Sequence, residues 1–302
     1  LKRRAVQQAV FRIANILVGR TEPDLNLVIS ILAKALSCDR AVIFQYDESG
    51  TRVENTHEWA ASGISKHREE MQDVNPERFP WWTRQLRQNR PVPVGDADQI
   101  PPEGEALRTE LKRRGTRALL AVPIQESGEL LGFISVGDVH NERDWNEEDI
   151  EAVRLSGQLV GSYLRRRRVN EALERSERRY RNLFDNMLNG CLYCRVERDA
   201  HGRPKDLHII EGNDAFKRIT GTSPGEVEGR KITEVVPDFS ETCQHWLDTF
   251  GRVARTGEPV RFSEYFEPLD AWYSVQAYSP HSGYVAILFD DITQERKTQR
   301  QL

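Results

Sequence analysis

The chain has 302 residues, of which 38% are hydrophobic and 30% charged, with 43 Lys plus Arg against 47 Asp plus Glu. That length predicts two domains of ordinary size, and the hydrophobic fraction excludes global disorder. The near balance of charge argues against a general nucleic-acid partner, and the longest apolar runs fall far short of the ~20 residues of a membrane span. Four irregularly spaced cysteines, Cys38, Cys191, Cys194 and Cys243, do not make a secreted disulfide framework. A reducing, cytoplasmic setting is therefore expected.

Val6, Ala9, Val10, Ile13, Ile16 and Leu17 recur at helical spacing, which predicts an amphipathic helix that Gly19 ends. A second helix is expected to start at Thr21-Glu-Pro-Asp24, with Leu25, Val28, Ile29, Leu32 and Leu36 inward. Residues 41–46 and 52–60 flank the turn Asp47-Glu-Ser-Gly50 as a strand–turn–strand unit. The stretch 62–104 is polar and Pro-rich, with one helix expected around 81–88 and another over 105–114. Residues 118–125 and 130–139 form a second hairpin, apolar on both faces, so these strands belong in a sheet centre covered on both sides.

From 146 to about 186 no proline interrupts a long helical pattern. Leu155, Leu159, Ser162, Arg166, Val169, Leu173, Ser176, Tyr180, Leu183 and Met187 follow one another at alternating steps of four and three. This is a heptad seam with polar interruptions, expected to pair weakly with its copy in a parallel homodimer. Residues 165–181 hold eight Arg and three Glu. Such a run either meets an anionic surface or is a solvated face laced by pairs such as Glu171–Arg175 and Glu174–Arg178, and the second reading is preferred.

Beyond it, strands are expected at 191–197 and 207–211 and helical pieces at 213–219 and 224–236. A longer helix follows at 240–256, ended by Gly257, and then strands at 260–266, 272–278 and 284–289. The whole chain reads as α+β: two domains, each with a central antiparallel sheet flanked by helices, joined by a long coiled-coil-type helix. The expected divisions are a helix at 1–20, a first domain at 21–163, a connector at 164–178, a second domain at 179–292 and an exit helix at 293–302. Both ends read as interior stretches of helix, so a piece of a longer protein is expected. No phosphate loop, nucleotide-binding box or zinc-protease pattern appears, and no catalytic residue or metal site is expected.

Two families are recognisable at this point. Asp39-Arg-Ala-Val-Ile-Phe44, Leu119-Leu-Ala-Val-Pro-Ile124, Leu130-Leu-Gly-Phe-Ile134 and Trp145-Asn-Glu-Glu-Asp-Ile150 resemble a GAF domain. Arg179-Tyr-Arg-Asn-Leu-Phe184, Asn213-Asp-Ala-Phe216, Gly221, Glu226, Gly229, Thr256-Gly-Glu-Pro259 and Asp291-Ile-Thr293 resemble a PAS domain. The tandem resembles the sensory regions of bacterial sensor histidine kinases and diguanylate cyclases. The resemblance implies a non-catalytic module that senses a small molecule or a protein and regulates a C-terminal output enzyme. A ligand-free dimerisation scaffold and a stand-alone GAF-type redox enzyme are the alternatives.

Within the resemblance, Glu142 and Ile150 replace the Lys and Glu of the cyclic-nucleotide motif, which removes its ion pair. Cys38 stands alone in the first domain, so a covalent bilin is not expected, and no Cys near 225–230 offers a flavin adduct. Trp59, Trp81, Trp82 and Asp96 in the first domain and Phe216, Trp246, Phe250 and Trp272 in the second are candidates for ligand pockets. His245, on the helix before Thr256-Gly-Glu, is a candidate axial ligand for haem, against the plainer reading of a surface histidine. No cofactor is otherwise required. Cys191 and Cys194 sit three apart on a predicted strand and so face opposite ways. Asp291 and Thr293 resemble the terminal PAS signalling motif, positioned to cap the exit helix.

Overall fold

The computed structural model describes residues 2–19, 22–236, 239 and 243–299. It divides into two units, residues 1–172 and 173–302. The first residues of the predicted 240–256 helix, Thr21 and the end of the exit helix lie outside the described residues.

In the first unit, α1 (Lys2–Gly19) and α2 (Leu25–Leu36) precede the hairpin β1 (Arg40–Tyr46) and β2 (Val53–Ala60). Asp24 caps α2 by accepting from the Asn26 and Leu27 amides at 2.9 and 3.3 Å. Asp47 makes the hairpin turn, its Oδ1 accepting from the Thr51 and Arg52 amides. Then come α3 (Pro80–Arg87), β3 (Val92–Val94), α4 (Glu105–Arg113), β4 (Ala118–Glu126), β5 (Glu129–Asp138) and α5 (Glu147–Asp185). The sheet order is β2-β1-β5-β4-β3, with neighbours antiparallel. Strand β3 is the element the sequence reading missed. Three residues carry too little alternation, and Pro93 argues against a strand except at an edge, which is where β3 lies.

The strands β4 and β5 are buried on both faces, as their continuous apolar character requires. Ala41 and Ile43 of β1 enter a core with α1, α2 and α5, while Phe44 and Tyr46 enter a second core with α3 and α4. Helix α5 starts under Asn146, whose Oδ1 accepts from the Asp149 amide. Its Gly157 and Gly161 let it lie close on the sheet. A Cβ at either would stand 3.3 Å from Ile134 and 3.1 Å from Ile124 respectively. Helix α1 lies parallel beside it, held by an Arg3–Glu148 ion pair and by Arg166 donating to the Leu17 carbonyl.

In the second unit, β6 (Gly190–Arg198) and β7 (Pro204–Gly212) precede α6 (Asp214–Thr220), α7 (Pro224–Val227), α8 (Ile232–Val235) and α9 (Gln244–Thr256). The meander β8 (Val260–Phe266), β9 (Ala271–Tyr278) and β10 (Tyr284–Asp291) follows, then α10 (Thr293–Gln299). Sheet order is β7-β6-β10-β9-β8, again antiparallel. The predicted helix over 224–236 is two short helices, because Gly229 breaks the run at φ 77°. Among the described residues no helix is long and apolar enough to cross a membrane.

Candidate functional site

Each unit encloses a cavity against one face of its sheet. The first, of about 100 Å³, lies between the sheet and the side of the unit carrying α3 and α4. One part is apolar, with Phe44, Tyr46, Val74, Phe79, Trp82 and Phe133. Phe44 and Phe133 stack at 4.7 Å, and Trp82 meets Phe133 edge-on at 5.4 Å. The other part is polar, with Arg40, Asn55, Glu58, Glu110 and Arg114. Strand β1 supplies Arg40, β2 supplies Asn55 and Glu58, and α4 with its C-cap supplies Glu110 and Arg114.

These charges are paired rather than free. Glu58 accepts from the His67 amide with both oxygens and from Asn55 Nδ2, and lies 3.7 Å from Arg40 Nε. Glu110 Oε1 accepts from Arg114 Nε and Arg113 Nη2, both at 2.7 Å. Burial pushes the Glu110 carboxyl up, but the hydrogen bonds from Arg113 and Arg114 outweigh it and hold it below the usual carboxylate range. Burial also lowers the pKa of Arg40 and Arg114, against the pull of Glu58 and Glu110.

The second cavity, of about 150 Å³, is lined almost wholly by apolar side chains, among them Phe216, Trp246, Phe250, Phe266, Tyr273 and Phe289. The indole N–H of Trp246 is engaged outside it, donating to Glu264 at 2.9 Å.

Of the pocket candidates, Trp82 stands in the first cavity wall and Phe216, Trp246 and Phe250 in the second. The other four do not line either. Trp59 packs in the core with α2, under the Lys34 ammonium, on the sheet face away from the cavity. Trp81 turns from the neighbouring Trp82 by one helical step and lies against Gly104. Asp96 caps a short turn by accepting from the Asp98 amide and pairs with Arg117. Trp272 lies on the outer face of its sheet, beneath the Arg296 guanidinium at 4.7 Å.

The haem candidate is corrected in the same way. The His245 side chain is 56% exposed and donates through Nε2 to Glu264 Oε1 at 2.8 Å, so no imidazole faces the second cavity. A cavity near the ~150 Å³ that holds one benzene also leaves no room for a porphyrin. The residues present do not fit haem. Cys194 faces the core and Cys191 the other side of β6. Burial pushes the Cys191 thiol up to about 11 and Cys38 to about 12, away from thiolate chemistry.

Asp291 Oδ1 accepts from the Thr293 amide, and Thr293 Oγ1 accepts from the Trp272 amide, both at 2.8 Å. Together they tie the first turn of α10 to β9 and β10. On α5, Leu155, Val169, Leu173, Tyr180 and Leu183 are exposed and Leu159 is half-buried. Phe11 and Val18, seven residues apart on α1, are 68% and 72% exposed. Glu174 pairs with Arg178 as expected, whereas Glu171 pairs with Arg167 instead of Arg175.

The polar end of the first cavity was missed in the sequence. One signal was present: Glu110 and Arg114 share the helical face of Leu107 and Leu111, a charged pair on a buried stripe. Arg40, Asn55 and Glu58 had no such signal, because only the β1–β2 register, with its shift between Ile43 and Phe44, brings them together.

A profile of the GAF domain matches residues 22–164, and one of the PAS domain matches residues 178–255. The chain therefore carries a GAF domain followed by a PAS domain. It is 30% identical over 137 residues to a methyl sulfide methyltransferase-associated sensor of Methanosarcina acetivorans, covering 45% of this chain and 13% of that protein. It is 28% identical over 151 residues to the methanogenesis regulatory histidine kinase FilI of Methanothrix harundinacea, covering 46% of this chain and 16% of that one. The matched region is thus a small part of those relatives' length. Among solved structures, the GAF domain of a phosphoenolpyruvate-protein phosphotransferase from Coxiella burnetii is similar, with 18% identity and a TM-score of 0.46 over 56% of this chain and 98% of that one.

Proposed function

We propose that this chain is the sensory region of a signalling protein. Its GAF and PAS domains take a small-molecule or protein input, and a parallel homodimer carries the change along paired α5 helices to a C-terminal output enzyme. A histidine kinase is the preferred output, because one relative is named as such, and a diguanylate cyclase is the alternative.

The observation that carries this reading is the exposed stripe of α5. Val169, Leu173, Tyr180 and Leu183 are between 50% and 66% exposed and sit at heptad positions of an uninterrupted 39-residue helix. Pairing with a second copy buries such a stripe, and the polar Arg166 and Ser176 in it keep the pairing weak. Phe11, Val18 and Leu155 are further exposed apolar side chains of the first unit.

A path from cavity to helix runs through one strand. Phe133 lines the cavity, and the next residue, Ile134, faces α5 at Gly157, where an added Cβ would stand 3.3 Å from it. A ligand that shifts β5 therefore shifts the seat of α5. Asp291 and Thr293 are assigned the matching role at the exit of the PAS domain.

The test uses the full-length protein with residues inserted after Ser176. Two extra residues rotate the downstream helix by about 200° and seven restore the heptad phase. Output regulation is expected to be lost with two and kept with seven. Equal regulation in both would overturn the reading.

A further inference from the structure

Two side-chain polar atoms are orphans, with neither a hydrogen-bond partner nor open surface among the described residues: Arg40 Nε and Asn55 Oδ1 of the GAF domain, both sealed by protein. The Tyr273 hydroxyl of the PAS domain differs. It too makes no hydrogen bond, but it is not sealed off as they are. Tyr273 is only 4% exposed and stands on the inner face of β9, in the wall of the apolar cavity. The open surface of its hydroxyl is therefore cavity surface.

The other polar groups of this wall are spent or wet. Thr220 Oγ1 donates to the Phe216 carbonyl at 2.8 Å and accepts from the Thr222 amide, and the Trp246 indole donates to Glu264. Thr222 is half-buried, so solvent meets its hydroxyl. One unspent buried hydroxyl does not hold a water, which needs two or more polar partners. What the phenolic O–H lacks is then an acceptor carried on an apolar body. No charged side chain stands in the wall, so an ion would lose its hydration with nothing in return. The volume of about 150 Å³ is that of a cavity that holds one benzene ring. Phe266 and Phe289 meet Tyr273 edge-on, at 6.1 and 5.7 Å, and Trp246 lies 5.0 Å from Phe266. Rings set across one another present both edges and faces to what lies between them, the arrangement that receives a further aromatic ring.

We propose that the PAS cavity takes a neutral single-ring aromatic molecule with one acceptor atom, its ring among Trp246, Phe266 and Phe289 and its acceptor on the Tyr273 hydroxyl. This rests on the reading of the cavities as input sites and names the chemistry of the PAS input.

The whole chain, with its indole N–H groups observed by nitrogen-15 NMR, is titrated near neutral pH with three probes of similar size. Benzene has no acceptor, pyridine adds one to the same ring, and butyrate is an anion. The Trp246 resonance is the one that Trp246→Phe lacks. Benzene and pyridine are both expected to bind saturably and to move that resonance, and butyrate to leave it unmoved. Tyr273→Phe keeps the ring and removes a hydroxyl that holds nothing in the folded chain, so the variant folds, as thermal unfolding checks. It is expected to weaken pyridine about tenfold and to leave benzene within about twofold. No saturable shift with either ring, butyrate binding as tightly as pyridine, or an equal effect of Tyr273→Phe on pyridine and benzene would each overturn the proposal. The helix-insertion experiment reads transmission without any probe, so the two readings fail separately.

Discussion

Asn213 has no exposed surface and makes four hydrogen bonds that no other side chain type can make at once. Its Oδ1 caps α6 at the Phe216 amide and accepts from the Cys191 amide; its Nδ2 donates to the carbonyls of Phe184 and Asn189. One amide thus joins the end of α5, the start of β6 and the start of α6. Replacing it strands buried backbone groups on both sides, so Asn213→Ala is expected to lower stability by about 3 kcal/mol. Asn213→Asp keeps the two accepting bonds and falls between. Urea unfolding of the whole chain, followed by circular dichroism, gives this ordering, and equal loss in both variants would contradict it. The sequence shows Asn213 at the start of a helical piece within a PAS-like motif. It does not show the bonds to Phe184 and Asn189, because those partners are 29 and 24 residues away and meet it only after the sheet closes.

At the scale of elements, period and turn chemistry were readable wherever a segment was long enough. The β1–β2 hairpin around its turn, the double-faced β4 and β5, and the stripe of α5 follow directly from turn chemistry and residue spacing. The two glycines of α5 were visible, but their use was not. They stand where the helix crosses β4 and β5, and a side chain there must displace Ile134, Ile124 or the Gln125 carbonyl. Gly161→Val is expected to cost about 1–3 kcal/mol through overpacking, read as a fall in the thermal unfolding temperature. Leu173→Glu tests the outer face of the same helix. It leaves the folded chain intact, because Leu173 is 58% exposed, and it is expected to weaken self-association about tenfold or more in sedimentation. An unchanged association constant would show that this stripe is not the pairing surface.

For the molecule as a whole, the buried charge of the GAF domain sets its response to pH. Glu110 is held below its usual range by Arg113 and Arg114. Asp138 is pushed up by burial but held down overall by the Asn141 amide, Arg143 and the His140 amide. Both carboxylates have lower pKa values folded than unfolded. Their contribution is therefore complete above the ordinary carboxylate range, near pH ~4 and up. It is lost as pH falls through the lower folded values. The chain is expected to be stable from neutral pH to about pH 5 and to lose GAF packing below about pH 4, monitored by tryptophan fluorescence of the chain with Trp246 and Trp272 replaced by Phe. Glu110→Gln should be less stable at neutral pH and should lose less on acidification, since it has no proton to take up. An acid profile identical to that of the parent chain would count against this assignment.

The amino-acid sequence by itself determined the longer elements, though not β3, the division into two α+β domains and the heptad stripe. Each of these is carried by neighbours within a few positions, where spacing alone decides which side chains share a face. Tertiary structure decided which residues meet in the cavities. It placed Trp82 at the cavity and its neighbour Trp81 elsewhere, turned His245 outward to Glu264, and set the orphan atoms of Arg40 and Asn55 around Glu58. Those outcomes depend on strand register and on the direction of single helical steps, which bring together side chains distant in the chain and leave no periodic trace in it.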